Sequence, residues 1–126
     1  MLTELFFVHG RPRFFSVGQQ LELSPPQSVV LRLLDEPRAM GELAGLMRCD
    51  SSNMTGIVDR LEERGLVERQ AAAHDRRIKL IALTEPGREL RSELARRLAE
   101  PPEALTGLAA ADQRALRDIL ARARSR

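Results

Sequence analysis

The stretch from Asp50 to Gly65 constrains this 126-residue chain more than any other. Met54, Ile57, Val58 and Leu61 recur at i, i+3, i+4 and i+7, the spacing that lays one apolar stripe along an α-helix. Asp50 or Ser51 can cap its start, because a short polar side chain accepts from the unsatisfied amides of a first turn. Gly65 stands where a left-handed terminating residue is expected. If the stripe faces inward, then Ser52, Asn53, Thr55, Gly56, Asp59, Arg60 and Glu63 face outward.

The flanking sequence supplies the frame for that helix. Ser24-Pro-Pro-Gln27 is a start signal, with Ser24 as cap, Pro25 in the first turn and Gln27 completing a capping box. The helix it opens carries Val30, Leu33 and Leu34 and closes at Asp35-Glu-Pro37. Ala39 to Arg48 reads as a second short helix, with Met40, Leu43, Ala44 and Met47 at helical spacing. Past Gly65, Leu66–Gln70 and Ile78–Leu83 are β-favouring runs joined by Ala71–Arg77, which predicts a hairpin with a long, partly basic tip. Thr84-Glu-Pro86 then opens a helix bearing Leu90, Leu94 and Leu98 until Pro101-Pro102 interrupts it. A last helix is expected from about Asp112, with Leu116, Ile119, Leu120 and Ala123 along one side. The first 23 residues read as a helix kinked by Gly10 and Pro12, with Leu2, Leu5, Phe6 and Phe14 as its apolar positions.

Composition narrows the function classes. An apolar content of 43% is enough for one modest core, and the formal net charge of +2 permits an anionic partner without demanding one. Cys49 stands alone, so an intramolecular disulfide and an all-cysteine metal site are both excluded, as suits a reducing cytoplasm. It reads as a small packing residue. The Leu5–Val8 run is too short to span a membrane and lacks the basic leader of a signal peptide, so a soluble cytoplasmic protein is expected. His9 and His74 are too isolated to predict a metal site, and no cofactor is implied. There is no glycine-rich phosphate loop, no nucleophile elbow and no paired acid and base at telling spacing, so the expectation is not an enzyme. Four Phe with no Trp or Tyr leave no stacking platform for single-stranded bases.

Three short helices followed by a hairpin make a winged helix-turn-helix, in which the third helix enters the DNA major groove. The fit is geometric: a helix from Ser51 to Arg64 is about 20 Å long, and a groove about 12 Å wide admits one. Small hydrogen-bonding residues lie near its start, where closeness to base edges matters, and Arg60 lies farther along, where reach matters. Gly56 costs the helix about 1 kcal/mol relative to Ala, which close approach to DNA or to a neighbouring helix would explain. Asp75-Arg-Arg77 puts two guanidinium groups on the hairpin tip, suited to phosphates or a narrow minor groove. Asp75 is expected to hold one arginine by a charge-assisted hydrogen bond.

The runs Asp50-Ser-Ser-Asn-Met-Thr-Gly-Ile-Val-Asp-Arg-Leu-Glu-Glu-Arg-Gly-Leu-Val-Glu-Arg69 and His74-Asp-Arg-Arg-Ile-Lys-Leu-Ile-Ala-Leu-Thr-Glu-Pro-Gly87 resemble the recognition helix, wing and following helix start of the MarR family. Ser24-Pro-Pro-Gln27 resembles that family's entry into its second helix. The resemblance implies a mainly α fold with a small β-hairpin. It also implies a homodimer built from the first and last helices and bound to a pseudo-palindromic site. Residues 1–23 and 88–126 would then dimerise and residues 24–87 would bind double-stranded DNA as a transcriptional regulator, in the first instance a repressor. Carried over by motif position, Ser51, Ser52, Asn53, Thr55 and Arg60 face the groove, and Asp75, Arg76 and Arg77 belong to the wing. The family also implies a small-molecule pocket, for which His9 and Arg13 are the candidates and a small aromatic or anionic effector the candidate ligand. Two departures stand out: the short N-terminal segment broken by Gly10 and Pro12, and the apolar Ala71-Ala-Ala73 in the wing. A winged-helix protein-interaction module without DNA affinity is the alternative class.

Overall fold

The computed structural model describes residue 4 and residues 10–125. Helix α1 (Arg11–Gln20) has Pro12 in its opening turn, and Gly10 before it is also in the right-handed helical region, φ −80° and ψ −47°. The remainder of the expected kinked helix falls on residues outside the described ones. The expected apolar positions Leu2, Leu5 and Phe6 lie outside the described residues. Helix α2 (Pro25–Leu33) begins on the predicted capping box. The Ser24 amide donates to Gln27 Oε1 at 2.9 Å, and the Gln27 amide donates back to Ser24 Oγ at 3.4 Å.

Between α2 and α3 (Met40–Met47) the chain makes a two-residue strand, β1 (Arg38–Ala39), which the sequence reading assigned to loop and helix. Two residues are too few to show an alternation, so only tertiary pairing reveals it. Helix α4 (Ser51–Glu63) follows, then β2 (Val67–Ala71), β3 (Lys79–Leu83) and α5 (Glu85–Ala99). The short α6 (Glu103–Thr106) and α7 (Ala110–Arg124) complete the described chain, α7 starting two residues before the expected Asp112. The break at Pro101-Pro102 between α5 and α6 is as expected.

The three strands form one antiparallel sheet in the order β1-β3-β2, with Val67 opposite Leu83 and Ala71 opposite Lys79. The hairpin is thus a wing with a third strand added along β3. The core lies under α4, where Met54, Val58 and Leu61 meet Val30 and Leu31 of α2, Leu43 of α3, Ile81 of β3 and Leu94 of α5, all fully buried. Leu31 belongs to this core although the sequence reading named only Val30, Leu33 and Leu34 in its helix.

The start of α5 is fastened to the end of α4. Thr84 Oγ1 donates to the Gly65 carbonyl at 2.5 Å and accepts from the Gly87 amide at 3.1 Å, while the Thr84 amide donates to Leu66 O at 3.1 Å. Gly65 takes the left-handed conformation expected of it, φ 71°. Gly87 is needed for a different reason: a Cβ there would stand 1.9 Å from the Leu66 carbonyl oxygen, a backbone atom that cannot rotate away. Gly87→Ala is expected to lower the unfolding free energy by about 3 kcal/mol in urea titration, by forcing α5 away from the β2 entry. An unchanged midpoint would show that the two segments are free to part.

Candidate nucleic-acid interface

The inward stripe of α4 leaves its outer face to solvent. Ser51, Ser52, Asn53, Thr55, Gly56 and Arg60 are all exposed, as the helical period requires once Met54, Val58 and Leu61 are buried. The cap is Asp50, whose carboxylate accepts from the Asn53 amide at 2.7 Å and from Ser52 Oγ at 2.9 Å. These two donors, the amide first, hold the Asp50 carboxyl below the ordinary carboxylate range. Thr55 Oγ1 donates to the Ser51 carbonyl at 2.8 Å. Both hydroxyl protons are therefore committed within the helix, and what Ser52 and Thr55 present outward is acceptor lone pairs. Arg60 makes no hydrogen bond or ion pair among the described residues, so its five donors are available to a guanine edge or a phosphate. Among the described residues no atom beyond the immediate chain neighbours and the surrounding helix backbone lies within 4 Å of a Cβ built on Gly56, so no neighbouring helix among them accounts for the glycine.

The wing reaches out beside this helix. Its tip is closed by backbone bonds, from the Ala72 amide to Ile78 O at 2.9 Å and from the Ile78 amide to Asp75 O at 3.1 Å. Ala72 packs inward, which gives the apolar Ala71-Ala-Ala73 run a structural use. Asp75 corrects the expectation set for it. Its carboxylate accepts from the backbone amide of Arg77 at 2.9 Å, an Asx-type turn, whereas the Arg77 guanidinium stays 4.0 Å away and 96% exposed. Asp75 shapes the loop and leaves the arginine unclamped. Arg76 is also exposed, and it makes no hydrogen bond or ion pair among the described residues.

Two positioning contacts escaped the sequence reading. Arg64, just past α4, donates to the carbonyls of Glu22 at 2.6 Å and Leu21 at 3.4 Å, fixing the α1–α2 turn, where Glu22 has φ 57°, to the end of α4. Arg69, on β2, donates to Asp59 Oδ1 and to Glu62 Oε1, each at 2.6 Å, and so bridges wing and helix. Both contacts join residues set by tertiary packing, which no local pattern encodes.

Arg13 lines a cavity of about 420 Å³ between α1 and α5, with Ser16, Gln20, Arg96, Arg97 and Glu100. Its guanidinium donates to Arg97 O at 2.9 Å and to Glu100 Oε2 at 3.2 Å. His9, its expected companion, lies outside the described residues. Cys49 is half-buried against the core. Among the described residues no group of three potential metal ligands occurs, and no helix is long and apolar enough to cross a membrane.

Residues 23–79, which run from the start of α2 to the wing tip, match the model of the MarR family. The chain belongs to the MarR family. It is 37% identical over 77 residues to the HTH-type transcriptional regulator YfiV of Bacillus subtilis, an alignment covering 60% of this chain and 48% of that protein. The chain thus spans about half the length of the curated relatives it matches. Among solved structures, the transcriptional regulator Tm0710 of Thermotoga maritima superposes with a TM-score of 0.79 at 25% identity, over 98% of this chain and 89% of that one. CouR of Rhodococcus jostii RHA1, solved with p-coumaroyl-CoA bound, is 32% identical over 86% of this chain and 79% of its own, with a TM-score of 0.65. The winged fold read from the sequence is the fold of these MarR-family neighbours.

Because the α4 cap works through an ionised carboxylate, its contribution depends on pH. The folded pKa of Asp50 is depressed, so its stabilisation is complete above the ordinary carboxylate range and is lost as pH falls through the lowered value. Asp50→Ala is therefore expected to lower the thermal midpoint near neutral pH. The gap from wild type should close as the solution is acidified below the ordinary aspartate range, as followed by circular dichroism. A gap that persists undiminished in acid would mean that the charge has no part in the cap.

Proposed function

We propose that the chain is a sequence-specific, double-stranded DNA-binding transcriptional regulator that represses as a homodimer on a pseudo-palindromic operator. The observation that carries this reading is the outer face of α4, where Ser51, Ser52, Asn53, Thr55 and Arg60 are all exposed beside a wing with Arg76 and Arg77 extended into solvent. In this reading α4 lies in the major groove, where Asn53 and the lone pairs of Ser52 and Thr55 meet base edges and Arg60 reaches a guanine or a phosphate. The wing arginines follow the adjacent minor groove or its phosphates, with Asp75 setting the loop. Residues 24–87 bind DNA, and residues 1–23 and 88–126 dimerise.

Helix α7 supports the dimer. None of its residues is buried, and it exposes Ile119 and Leu120 beside an apolar groove formed with Leu105, Leu108 and Leu116. Among the described residues α7 lies against little beyond the stretch around Leu105 and Leu108, and fifteen helical residues so sparsely covered are marginal in water, so a second copy is the covering this face fits. Two-fold symmetry then sets the α4 helices about one DNA turn apart, near 34 Å. The Arg13 cavity is the proposed seat of a small aromatic or anionic effector that releases DNA. CouR, related over most of its length, holds p-coumaroyl-CoA, which is both aromatic and anionic.

Selection of duplexes from genomic fragments by the purified protein tests the reading. Recovery of a salt-sensitive, two-fold symmetric sequence is expected. No preference for any fragment would sink DNA recognition and leave the winged-helix protein-interaction module. On the recovered duplex, Arg77→Ala is expected to weaken binding by about 1 to 3 kcal/mol and to flatten its dependence on salt. Separately, Leu120→Glu is expected to convert a dimeric mass in light scattering to a monomeric one. A monomer in the wild type at micromolar concentration would refute the two-fold arrangement.

A further inference from the structure

Helix α4 carries a feature that a surface meant for DNA should not tolerate. Asp59 lies seven residues, or two turns, beyond Ser52, on the same outward stripe as Thr55 and Gly56. Glu62 follows one turn later, on the side toward the wing. Two carboxylates at the edge of a face meant for a polyanion oppose binding through like-charge repulsion, which is strongest where the duplex displaces water.

Arg69 answers both. It stands on β2 and sends one guanidinium nitrogen to each carboxylate, Nη2 to Asp59 Oδ1 and Nη1 to Glu62 Oε1, both at 2.6 Å. The arginine side chain is 30% exposed, against 50% and 42% for its partners, so the bridge sits partly withdrawn behind the helix surface. Hydrogen bonding to Asp59 is the largest influence holding the Arg69 proton, with Glu62 adding to it. Glu63, the last residue of the helix, is exposed and has no such partner among the described residues.

We propose that Arg69 is a built-in counter-ion: it binds Asp59 and Glu62 so that α4 can approach a phosphate backbone, and it fixes the wing to the helix without itself touching DNA. This rests on the DNA-binding reading above and adds to it the residue that makes an otherwise acidic helix edge acceptable to a duplex.

The test uses a duplex recovered from random sequence on the wild-type protein, with affinity read by fluorescence anisotropy at low and moderate salt. Arg69→Gln is expected to bind roughly tenfold more weakly, because two carboxylates are unmasked. Arg69→Lys, which keeps the charge, is expected to recover most of the loss. Adding Asp59→Asn and Glu62→Gln to Arg69→Gln is expected to restore affinity to within about twofold of wild type, whereas adding Glu63→Gln alone should recover much less. In the wild-type background, Asp59→Asn with Glu62→Gln frees the arginine and should bind as tightly or more tightly, a readout that does not depend on Arg69→Gln folding.

A wild type that selects no duplex overturns the DNA reading and the counter-ion together. A wild type that binds, with Arg69→Gln equal to it, overturns the counter-ion alone. Failure of the double neutralisation to rescue would make Arg69 a direct DNA contact, and rescue by Glu63→Gln of equal size would reduce the effect to net charge. Either result sinks the proposal.

Discussion

Everything the surface of this molecule offers depends on how firmly α4 is seated. Met54, Val58 and Leu61 are fully buried among side chains from α2, α3, β3 and α5, so the helix cannot rotate about its axis without exposing that stripe. Burying three such side chains is worth several kcal/mol, about 1.5 to 3 for each, and this fixes which way Ser52, Thr55 and Arg60 point. The outer face is therefore determined by the inner one. Asp50 sets the first turn, Arg64 ties the end of the helix to the α1–α2 turn, and Thr84 joins the residues after it to α5.

Electrostatics then refines what packing has placed. The exposed donors of the α4 outer face and the wing tip are Arg60 on the helix and Arg76 and Arg77 on the wing. Most other arginines of the winged region are engaged with their own chain. Arg38 holds Asp35, Glu42 and the Leu33 carbonyl, Arg88 holds Glu85 and the Leu83 carbonyl, and Arg69 holds Asp59 and Glu62. A formal net charge of only +2 is thus compatible with a locally basic face, because Asp59 and Glu62 beside it are matched from behind by Arg69. Internal pairing of this kind does little for stability when exposed, but it decides which charges a partner meets.

The parts of this structure that could be read from sequence are those whose cause is local. The stripe of α4, the Ser24 capping box, the Gly65 terminus, the wing and the Pro101-Pro102 break each follow from neighbours within a few positions, and the strand ends differ from expectation by one residue. What escaped was determined at long range. Strand β1 exists only because Arg38 and Ala39 lie against Ile81 and Leu80. The Arg64 and Arg69 contacts cross 42 and 10 positions of chain. Adjacent opposite charges point to a guanidinium as the partner of Asp75, yet the turn brings a backbone amide closer to it. The exposed placement of Ser51, Ser52, Asn53, Thr55 and Arg60 follows directly from periodicity, whereas the lining of the Arg13 cavity requires the approach of α1 to α5.

Helix α7 has a consequence for dose. Among the described residues its apolar side has little cover, so in the proposed dimer the ordering of this arm and the joining of two copies would be one second-order event. Occupancy of a two-fold site would then rise with the square of chain concentration at the dilute end, and a small change in synthesis near the association threshold would become a sharp change in occupancy.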